Sequence, residues 1–558
     1  MRKAVALEGE CFKHEKNDTE CNTVLFLIRY LNIEDIMKIY SFSPFGYEGA
    51  IVSVEVDLRK GIPAIDMVGL ADGAVKESRE RIRSAIRNSG LEFPKERVLI
   101  SLSPADLKKE GAGFDLPIAL AVLEAKLDLE RDKSNGELFE ESVLIIGELD
   151  LSGNVKSVRG IQAAIATAAE TGITKCIVPA LNKGEAMKMT GTHIFAAETL
   201  LEAFNALETG KGFEVAKENA EEELGEGYVK IDDVIFPPVT PENDICTVRG
   251  QKNLVRGLQI AAAGGHNALA YGTPGCGKTL AMQRFSSLMP LLTDEESKTV
   301  TRIHSLAGLL PQGAALVKIP PFRMPHQTAS IEGICGGGPR CTPGEISLAH
   351  NGALFLDEAS QFKASVLQML RVPLESGCIT LSRAGRNTVY PASFQLLVAT
   401  NPCPCGNFGS SDKLCLCSAR SIEQFWKKFS APLLDRIDIR LHVDLPDTQE
   451  DTPLDIMTLR TPIAHAVSVQ RRRQGKRNAH LTPQEVLMYC VMSDEAREIL
   501  DKAQDMYSLS QRAVSGCMKI ARTIADMDGS EKIEAVHMKE AVHYRKTEVG
   551  IGGISEML

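Results

Sequence analysis

The chain has 558 residues, of which 44% are hydrophobic and 24% charged, and its net charge at pH 7 is −10. This length favours two to four domains, and the acidic balance argues against a uniformly basic nucleic-acid coat, although a ring with a basic pore stays compatible with it. No apolar run approaches the roughly 20 residues of a membrane-spanning helix, so we expect a cytoplasmic protein whose cysteines are thiols or metal ligands.

The first 36 residues differ from the rest of the chain. They mix charged residues, asparagine and two cysteines without sustained periodicity, whereas a patterned segment begins at Met37. We interpret residues 1–36 as a non-native or disordered extension from an upstream start codon, with Met37 as the natural start.

Residues 37–208 alternate between strand and helix patterns. Strands are predicted at 51–58, 98–102 and 143–146, and helices at 118–123 and 161–169. Apolar and polar residues alternate along the first of these strands, which indicates that one of its faces is buried. We therefore expect an α/β domain of about 170 residues.

The remainder divides by composition. The segment 209–243 combines a run of glutamates with a proline cluster, which is typical of a solvated linker. A second α/β pattern spans 244–445, and 446–548 shows helical patterns without a strong strand signal. We interpret 549–558 as a loose tail.

A phosphate-binding motif lies in the second α/β pattern. It fits G-x-x-x-x-G-K-[ST] at every fixed position and consists of Gly272, Thr273, Pro274, Gly275, Cys276, Gly277, Lys278 and Thr279. An apolar strand pattern precedes it and a helix-permitting segment follows it. Glycines let backbone N–H groups wrap phosphates. Lys278 is therefore predicted to neutralise β and γ oxygens of ATP, and Thr279 to hold Mg²⁺.

Two acids and an amide follow predicted strands. Asp357 and Glu358 directly follow the apolar run 353–356, and Asn401 directly follows the run 394–400. The carboxyl ends of such strands meet at the edge of the sheet where ligands bind. We expect Asp357 to bind Mg²⁺ through water, Glu358 to act as general base, and Asn401 to hold the attacking water.

Arg436 is a candidate for stabilising the transferred phosphoryl group from a neighbouring subunit. Its planar, permanently charged side chain suits that role. The alternative is a surface salt bridge with Asp435 or Asp438, which this position alone would favour. The surrounding nucleotide motifs favour the first interpretation.

Four cysteines form a C-x-C-x9-C-x-C pattern in a polar loop. They are Cys403, Cys405, Cys415 and Cys417. Four thiolates at this spacing could close a structural Zn²⁺ site, which would fold an otherwise irregular loop. Free thiols are the alternative.

The densest basic stretch of the acidic chain lies in the helical region. It contains Arg471, Arg472, Arg473, Lys476 and Arg477. Such a run is most often a solvated helix face. On a DNA-translocating ring, it could instead contact phosphates.

Seven longer segments carry a family resemblance from residue 37 to about residue 548. They are 66–72 (DMVGLAD), 76–81 (KESRER), 103–111 (SPADLKKEG), 261–267 (AAAGGHN), 343–352 (PGEISLAHNG), 401–406 (NPCPCG) and 521–526 (ARTIAD). With these segments, the chain resembles the bacterial magnesium-chelatase-like AAA+ ATPases of the ComM/YifB family.

The resemblance implies an α/β fold with a Lon-protease-like (S5 domain 2-like) N-terminal domain, an AAA+ P-loop ATPase domain and a helical C-terminal lid domain. It also implies a homo-hexameric ring with ATP bound between subunits. Asn401 would be sensor 1, Arg436 the arginine finger and Arg512 sensor 2. ComM-type members act in DNA recombination during natural transformation, so single-stranded or branched DNA is the expected partner.

The Lon-like domain lacks the residues of a serine–lysine peptidase. Gly113 stands where the resemblance places the nucleophilic serine, and Gln162 and Ala164 stand where it places lysines. Because such a mechanism needs both groups, we expect a role in assembly or DNA binding.

Two positions depart from the family pattern. Gln327 replaces a usual second histidine, and Val372 replaces a usual glutamine; both departures bear on substrate engagement. Three functions stay open: an ATP-driven DNA-remodelling motor, an ATPase that remodels a protein or loads a metal, and a nucleotide-switched assembly module with weak turnover.

Overall fold

The computed structural model describes most of the chain. The described residues are 38–69, 73–105, 107, 109, 112–130, 142–189, 191–216, 225–310, 316–338, 341–383, 386–409, 413–444 and 454–545. Our interpretations of residues 1–36 and 549–558 fall outside these ranges.

The first unit is built around a mixed eight-stranded sheet. The strands of this unit are β1 Lys38–Ser43, β2 Ala50–Arg59, β3 Ile65–Val68, β4 Arg97–Ser103, β5 Ser142–Ile145, β6 Glu148–Leu149, β7 Val155–Lys156, β8 Lys175–Pro179, β9 His193–Ala197 and β10 Glu214–Val215. Strands β6 and β7 form a separate two-stranded ribbon, and the other eight form the sheet. The sheet order is β10-β9-β8-β5-β1-β2-β4-β3. Strand β2 pairs antiparallel with β1 and β4, whereas β5, β8 and β9 pair in parallel.

Helices cover both faces of this sheet. They are α1 Gly73–Asn88, α2 Asp115–Glu130, α3 Ile161–Glu170, α4 Lys183–Ala186 and α5 Leu200–Thr209. The alternation of β2 sends Val52 and Val54 into the core beneath α1, α2 and α5. Ile51 packs against the second core, beneath α3. The strands and helices predicted for this unit are confirmed.

A short hairpin follows the first unit and corrects the linker interpretation. Strands β11 Val229–Ile231 and β12 Val234–Phe236 pair antiparallel. Val234 and Phe236 are fully buried in the core of the second unit, and the guanidinium of Arg460 lies 5.0 Å from the ring centre of Phe236. This part of the segment is therefore not a solvated linker. Three-residue strands beside prolines are too short to produce a periodic signal.

The second unit contains a parallel five-stranded sheet. The remaining strands among the described residues are β13 Ala268–Gly272, β14 Phe322–Arg323, β15 Gly336–Gly337, β16 Thr342–Pro343, β17 Ala353–Leu356, β18 Cys378–Arg383, β19 Arg386–Pro391, β20 Gln395–Thr400 and β21 Ile439–Val443. The sheet order is β14-β17-β20-β13-β21, and β15–β16 and β18–β19 form separate ribbons. Every residue of β13 and β17 is buried, as expected for parallel strands covered on both faces.

The helices of this unit begin with α6 on one face of the sheet. They are α6 Lys252–Gly264, α7 Lys278–Gln283, α8 Asp294–Leu306, α9 Ile331–Cys335, α10 Glu345–Leu348, α11 Ala364–Met369, α12 Pro373–Ser376, α13 Ala419–Lys427 and α14 Ala431–Leu434. Helix α8 starts at a capping box in which Thr293 and Glu296 satisfy each other's backbone N–H groups.

The C-terminal region is helical, as predicted. Its helices are α15 Ile456–Gln474, α16 Pro483–Tyr489, α17 Asp494–Tyr507, α18 Gln511–Met527 and α19 Ala535–Arg545. Helices α15 and α18 pack on α6, and Ile463, Ile520 and Leu258 belong to one core. Among the described helices, none is both long and apolar enough to cross a membrane.

The first unit packs against helix α8 and the β18–β19 ribbon of the second. The Arg302 guanidinium lies 4.4 Å from the ring centre of Tyr47, and its Nε donates to the Tyr47 carbonyl at 3.2 Å. The backbone N–H of Tyr47 donates to Thr388 Oγ1 at 2.9 Å. These contacts join the two units along one surface.

Candidate active site

The phosphate-binding motif forms a tight turn between β13 and α7. Gly275 and Gly277 have φ angles of +84° and +89°, which favour glycine. A Cβ on Gly272 would lie 1.9 Å from the carbonyl oxygen of Val443, so the neighbouring strand leaves no room for a side chain. Lys278 Nζ donates to the carbonyls of Gly272 and Thr273 at 2.8 and 2.7 Å.

The first acid lies directly against this turn. Strands β17, β20 and β13 are adjacent and parallel, so the residues that follow them meet at one edge of the sheet. Thr279 Oγ1 donates to Asp357 Oδ1 at 2.9 Å. The sheet thus brings together the hydroxyl and the carboxylate that we predicted as the Mg²⁺ site.

Glu358 follows in an unusual backbone conformation. Its φ is +45° and its side chain is exposed beside Asp357. Gln327 Nε2 donates to Glu358 Oε2 at 2.9 Å. The sequence marks Gln327 as a departure from the family pattern, but no local signal indicates its contact with the second acid.

Asn401 follows β20 at the same edge. It is half-buried, and the strand that precedes it lies between those that lead to Lys278 and Asp357. The structure therefore places Asn401 at the same edge of the sheet as the P-loop (residues 272–279), as the sequence predicts.

The two predicted arginines lie together on a shared carboxylate. Arg436 Nη2 pairs with Glu375 Oε2, and Arg512 Nη2 donates to Glu375 Oε1 at 2.7 Å. The pKa of Glu375 is lowered by the hydrogen bond from Arg436 and, to a smaller extent, by the one from Arg512. Sequence reasoning missed Glu375, because nothing local connects it to either arginine.

The alternative interpretation of Arg436 was a surface salt bridge with Asp435 or Asp438. Asp435 and Asp438 lie within 3.5 and 3.7 Å of the guanidinium of Arg545. Arg436 pairs with Glu375 instead, and its Nη1 donates to the Pro432 carbonyl at 2.6 Å.

Both arginines lie at the end of the sheet opposite to the P-loop. Asn267, which precedes β13, donates from Nδ2 to the Arg436 carbonyl at 2.9 Å. The P-loop follows the other end of β13, about 13 Å away at strand geometry. A cleft of about 1000 Å³ at the arginine end is lined by Glu375, Arg436 and Arg512, among others.

The four predicted cysteines converge. Their sulfurs all lie within 4.8 Å of one another, and the Sγ–Sγ distances from Cys403 to Cys405 and Cys415 are 3.4 and 3.7 Å. These distances exceed the roughly 2.05 Å of a disulfide. They approach the separation of about 3.8 Å between thiolates that bind one tetrahedral ion at about 2.3 Å.

Most side chains of the basic stretch make contacts within the fold, which corrects its interpretation as a solvated helix face. Arg473 Nη1 and Nη2 donate to the buried carboxylate of Asp526 at 2.7 and 2.8 Å. Arg477 Nη1 donates to the carbonyls of residues 262 and 263, and burial lowers its pKa to about 10. Lys476 pairs with Glu485 at 2.7 Å. Arg472 is the exposed member of the stretch.

The site where a Lon-type serine would stand is apolar. A Cβ on Gly113 would meet Ile146 and Val158, each at 3.8 Å. Gln162 is 2% exposed. That this unit does not cleave peptides stays a prediction.

Comparisons with known proteins cover nearly the whole chain. Family models match residues 54–182 (subunit ChlI of Mg-chelatase), 244–451 (magnesium chelatase, subunit ChlI) and 456–545 (magnesium chelatase, subunit ChlI C-terminal). The chain is 38% identical to the uncharacterized protein YifB of Salmonella typhimurium, covering 91% of this chain and 96% of YifB.

Two further relatives extend this comparison. The chain is 36% identical to the competence protein ComM of Haemophilus influenzae, over 91% of this chain and 97% of ComM. An archaeal Lon protease from Methanocaldococcus jannaschii is 24% identical over 24% of this chain and 19% of its own length, so the similarity to Lon is weak and partial.

Proposed function

The chain belongs to the ComM/YifB family of magnesium-chelatase-like AAA+ proteins, and we propose that it is an ATP-hydrolysing ring motor that remodels DNA. The observation that carries the ATPase assignment is the 2.9 Å contact between Thr279 and Asp357. It joins the P-loop to the acid pair in a parallel sheet, at the edge where nucleotides bind.

The residues at this edge suit ATP and Mg²⁺. Thr279 and Asp357 present oxygen ligands, which Mg²⁺ prefers, and the bound ion would offset the negative charge of the β and γ phosphates. Lys278 would exchange its carbonyl partners for phosphate oxygens. The N-terminus of α7 and the glycine-rich turn would supply backbone N–H donors.

Glu358 is the proposed general base. It would accept a proton from the water whose oxygen attacks the γ phosphorus, while Asn401 orients that water. The bond between the γ phosphorus and the bridging oxygen breaks, and ADP leaves with the electron pair. The exposed carboxylate of Glu358, beside Asp357, supports its role as the base.

We propose that the ring is a homo-hexamer and that Arg436 and Arg512 act on the nucleotide of a neighbouring subunit. Both lie at the opposite end of β13 from their own P-loop, around an open cleft. A head-to-tail contact between copies would bring this cleft to the neighbour's phosphates, as closed rings require. Arginine there would stabilise charge on the transferred phosphoryl group.

DNA is the proposed partner because the Haemophilus relative is named a competence protein. The second candidate is an ATPase that remodels a protein or a metal-insertion partner, which the magnesium-chelatase description of the family models favours. For the first unit we propose a role in assembly or DNA binding, in the cytoplasm like the rest of the chain.

We further propose that Cys403, Cys405, Cys415 and Cys417 hold one structural Zn²⁺. Four thiolates at near-tetrahedral separation are a typical zinc ligand set. Because protein ligands would occupy all four positions, the ion would stabilise the loop without contacting substrate.

ATP hydrolysis measured with and without DNA tests the proposal. We expect single-stranded or branched DNA to stimulate phosphate release, with the effect declining as salt rises. Glu358→Gln should reduce hydrolysis by about 10²–10⁴-fold while nucleotide binding persists; Glu423→Gln, an exposed acid on α13, is the matched control. Hydrolysis that no DNA stimulates would favour the protein or metal-insertion candidate, and full activity of Glu358→Gln would exclude the base.

A further inference from the structure

The cysteine loop, described at residues 401–409 and 413–417, touches the P-loop directly. Gly406 has a φ of +80°, and a Cβ there would lie 2.8 Å from both Cγ and Cδ of Pro274. The backbone N–H of Gly406 donates to the Cys403 carbonyl at 3.0 Å. The turn that contains the first two cysteines therefore packs against the turn that would wrap the phosphates.

A tryptophan links the same loop to the strand before the P-loop. Trp426 Nε1 donates to the Pro402 carbonyl at 3.0 Å. Its ring meets the Tyr271 ring edge-on at a centroid distance of 5.8 Å, and Tyr271 directly precedes Gly272. Trp426 is 5% exposed and is the single tryptophan of the chain.

The second half of the loop is held in part by its cysteines, because Cys415 and Cys417 pack partly buried against the core cluster that contains Cys403. Residues 413–417 form neither helix nor strand, and Leu414 and Leu416 are 81% and 85% exposed, so apolar burial of these leucines does not anchor it. Cys415 and Cys417 turn toward the sulfur of the fully buried Cys403. A shared metal ion would hold such a segment in place.

We infer that metal bound by the four cysteines sets the geometry of the nucleotide site, by holding the loop against Pro274 and fixing the end of β20 at Asn401. This inference rests on the proposed zinc site and adds a consequence to it. Without the ion, the segment 413–417 loses its sulfur–metal links to Cys403 and Cys405, and the turn at Gly406 is held less firmly against Pro274. ATP affinity and water positioning then decline together, since misplacement by about 1 Å can cost up to about a hundredfold in rate.

The experiment compares the full chain with three variants, all purified with reductant and without chelator. Cys405→Ser removes the exposed ligand, and Gly406→Ala disturbs the contact with Pro274 while leaving every thiol. Cys378→Ser, at a half-buried cysteine elsewhere, is the control. Zinc content, Trp426 emission, the Kd of a non-hydrolysable ATP analogue and the kcat and KM of hydrolysis are measured for each.

We expect about one zinc per parent chain. Cys405→Ser should lose the metal, shift Trp426 emission to the red and weaken analogue binding by about tenfold, with a lower kcat. Gly406→Ala should keep the metal and still show weaker binding, whereas Cys378→Ser should match the parent. Because a ligand variant can misfold, a zinc-selective chelator that spares Mg²⁺ is applied to the parent. Added zinc should then restore both emission and affinity.

The outcomes separate the two proposals. A parent chain without metal refutes the zinc site and, with it, the inference. If metal is present and is removed reversibly while analogue affinity and kcat stay unchanged, the zinc site stands and the coupling to the nucleotide site is refuted.

Discussion

Glu358 and Gln327 form a pair that no local motif describes. A non-glycine residue at positive φ costs about 1 kcal/mol or more, and Glu358, the proposed general base, has a φ of +45°. The hydrogen bond from Gln327 Nε2 at 2.9 Å restricts the same carboxylate. The backbone conformation and the hydrogen bond from Gln327 therefore both restrict the position of the Glu358 carboxylate.

From this contact we predict that Gln327→Ala lowers the kcat of ATP hydrolysis by about tenfold or more, because a hydrogen bond to a charged group contributes about 1.5–3 kcal/mol. KM for ATP should change little, since Gln327 contacts the base and not the P-loop. Gln327→His should keep most of the activity, because an imidazole N–H can donate to the same oxygen. A parallel loss in both variants, or a change confined to KM, would contradict a positioning role.

At this scale the sequence predicts the site unevenly. The position of Lys278, Thr279 and Asp357 at one edge of the sheet was predictable, because each follows an apolar strand and strand ends can be identified locally. Glu375 was not predictable, because its pairing with Arg436 and Arg512 spans 61 and 137 positions. Such a contact depends on tertiary packing, which no spacing rule encodes.

Among the elements, helix α15 shows how charge in a sequence can mislead. A run of arginines at its end suggested an exposed face, yet Arg473 lies against Asp526 and Arg477 against the carbonyls at the end of α6. Asn478 also donates to Asp526, at 2.8 Å. The partners of these side chains lie far away in sequence, so composition alone could not distinguish a buried network from a solvated face.

We predict that Arg473→Ala lowers the free energy of unfolding by about 2–3 kcal/mol, because Asp526 loses a bidentate charged partner in a buried site. Arg522 still pairs with Asp526, which keeps the loss from being larger. Arg472→Ala, at the exposed neighbour, should change stability by no more than about 0.5 kcal/mol. Urea unfolding of both variants measures the difference. Equal effects would mean that the Arg473–Asp526 pair adds no stability.

The turn after α10 gives a pH dependence to the second unit. Burial lowers the pKa of His350 to about 4, and its Nδ1 accepts a hydrogen bond from the Ser393 N–H at 3.0 Å. The unfolded chain binds this proton near pH 6.5, so the folded state is favoured above that pH. The contribution is lost as pH falls from about 6.5 toward 4.

We therefore predict that the full chain loses about 2 kcal/mol of stability between pH 7.5 and 5 through His350. His350→Gln cannot take up the proton, and it should show a smaller decline over this range. Urea midpoints at pH 7.5 and 5 measure both slopes. The same decline in parent and variant would assign the pH dependence to other groups.

For the whole molecule, the sequence predicted the order of units better than their boundaries. Strand β2 shows its buried face through alternation, and β13 and β17 show theirs through continuous apolar runs, so both α/β units were recognisable. The hairpin β11–β12 was not, because Val234 and Phe236 are buried by α15 and its neighbours, more than 200 positions later. The helical region likewise shares a core with α6.

The P-loop and Arg436 lie at opposite ends of β13, so one copy cannot bring both to the same nucleotide unless a second copy contributes one of them. If the P-loop of one copy works with Arg436 of the next, Lys278→Ala and Arg436→Ala each inactivate every site of a uniform ring. In a mixed ring, roughly a quarter of the interfaces place an intact P-loop beside an intact Arg436, since the contact is head-to-tail. Mixing the two inactive variants should therefore restore measurable ATP hydrolysis. A mixture of Lys278→Ala and Asp357→Asn, which damage the same half, should stay inactive. Failure of the first mixture to recover, once mixed rings are verified by differential tagging, would place Arg436 outside the neighbour's site.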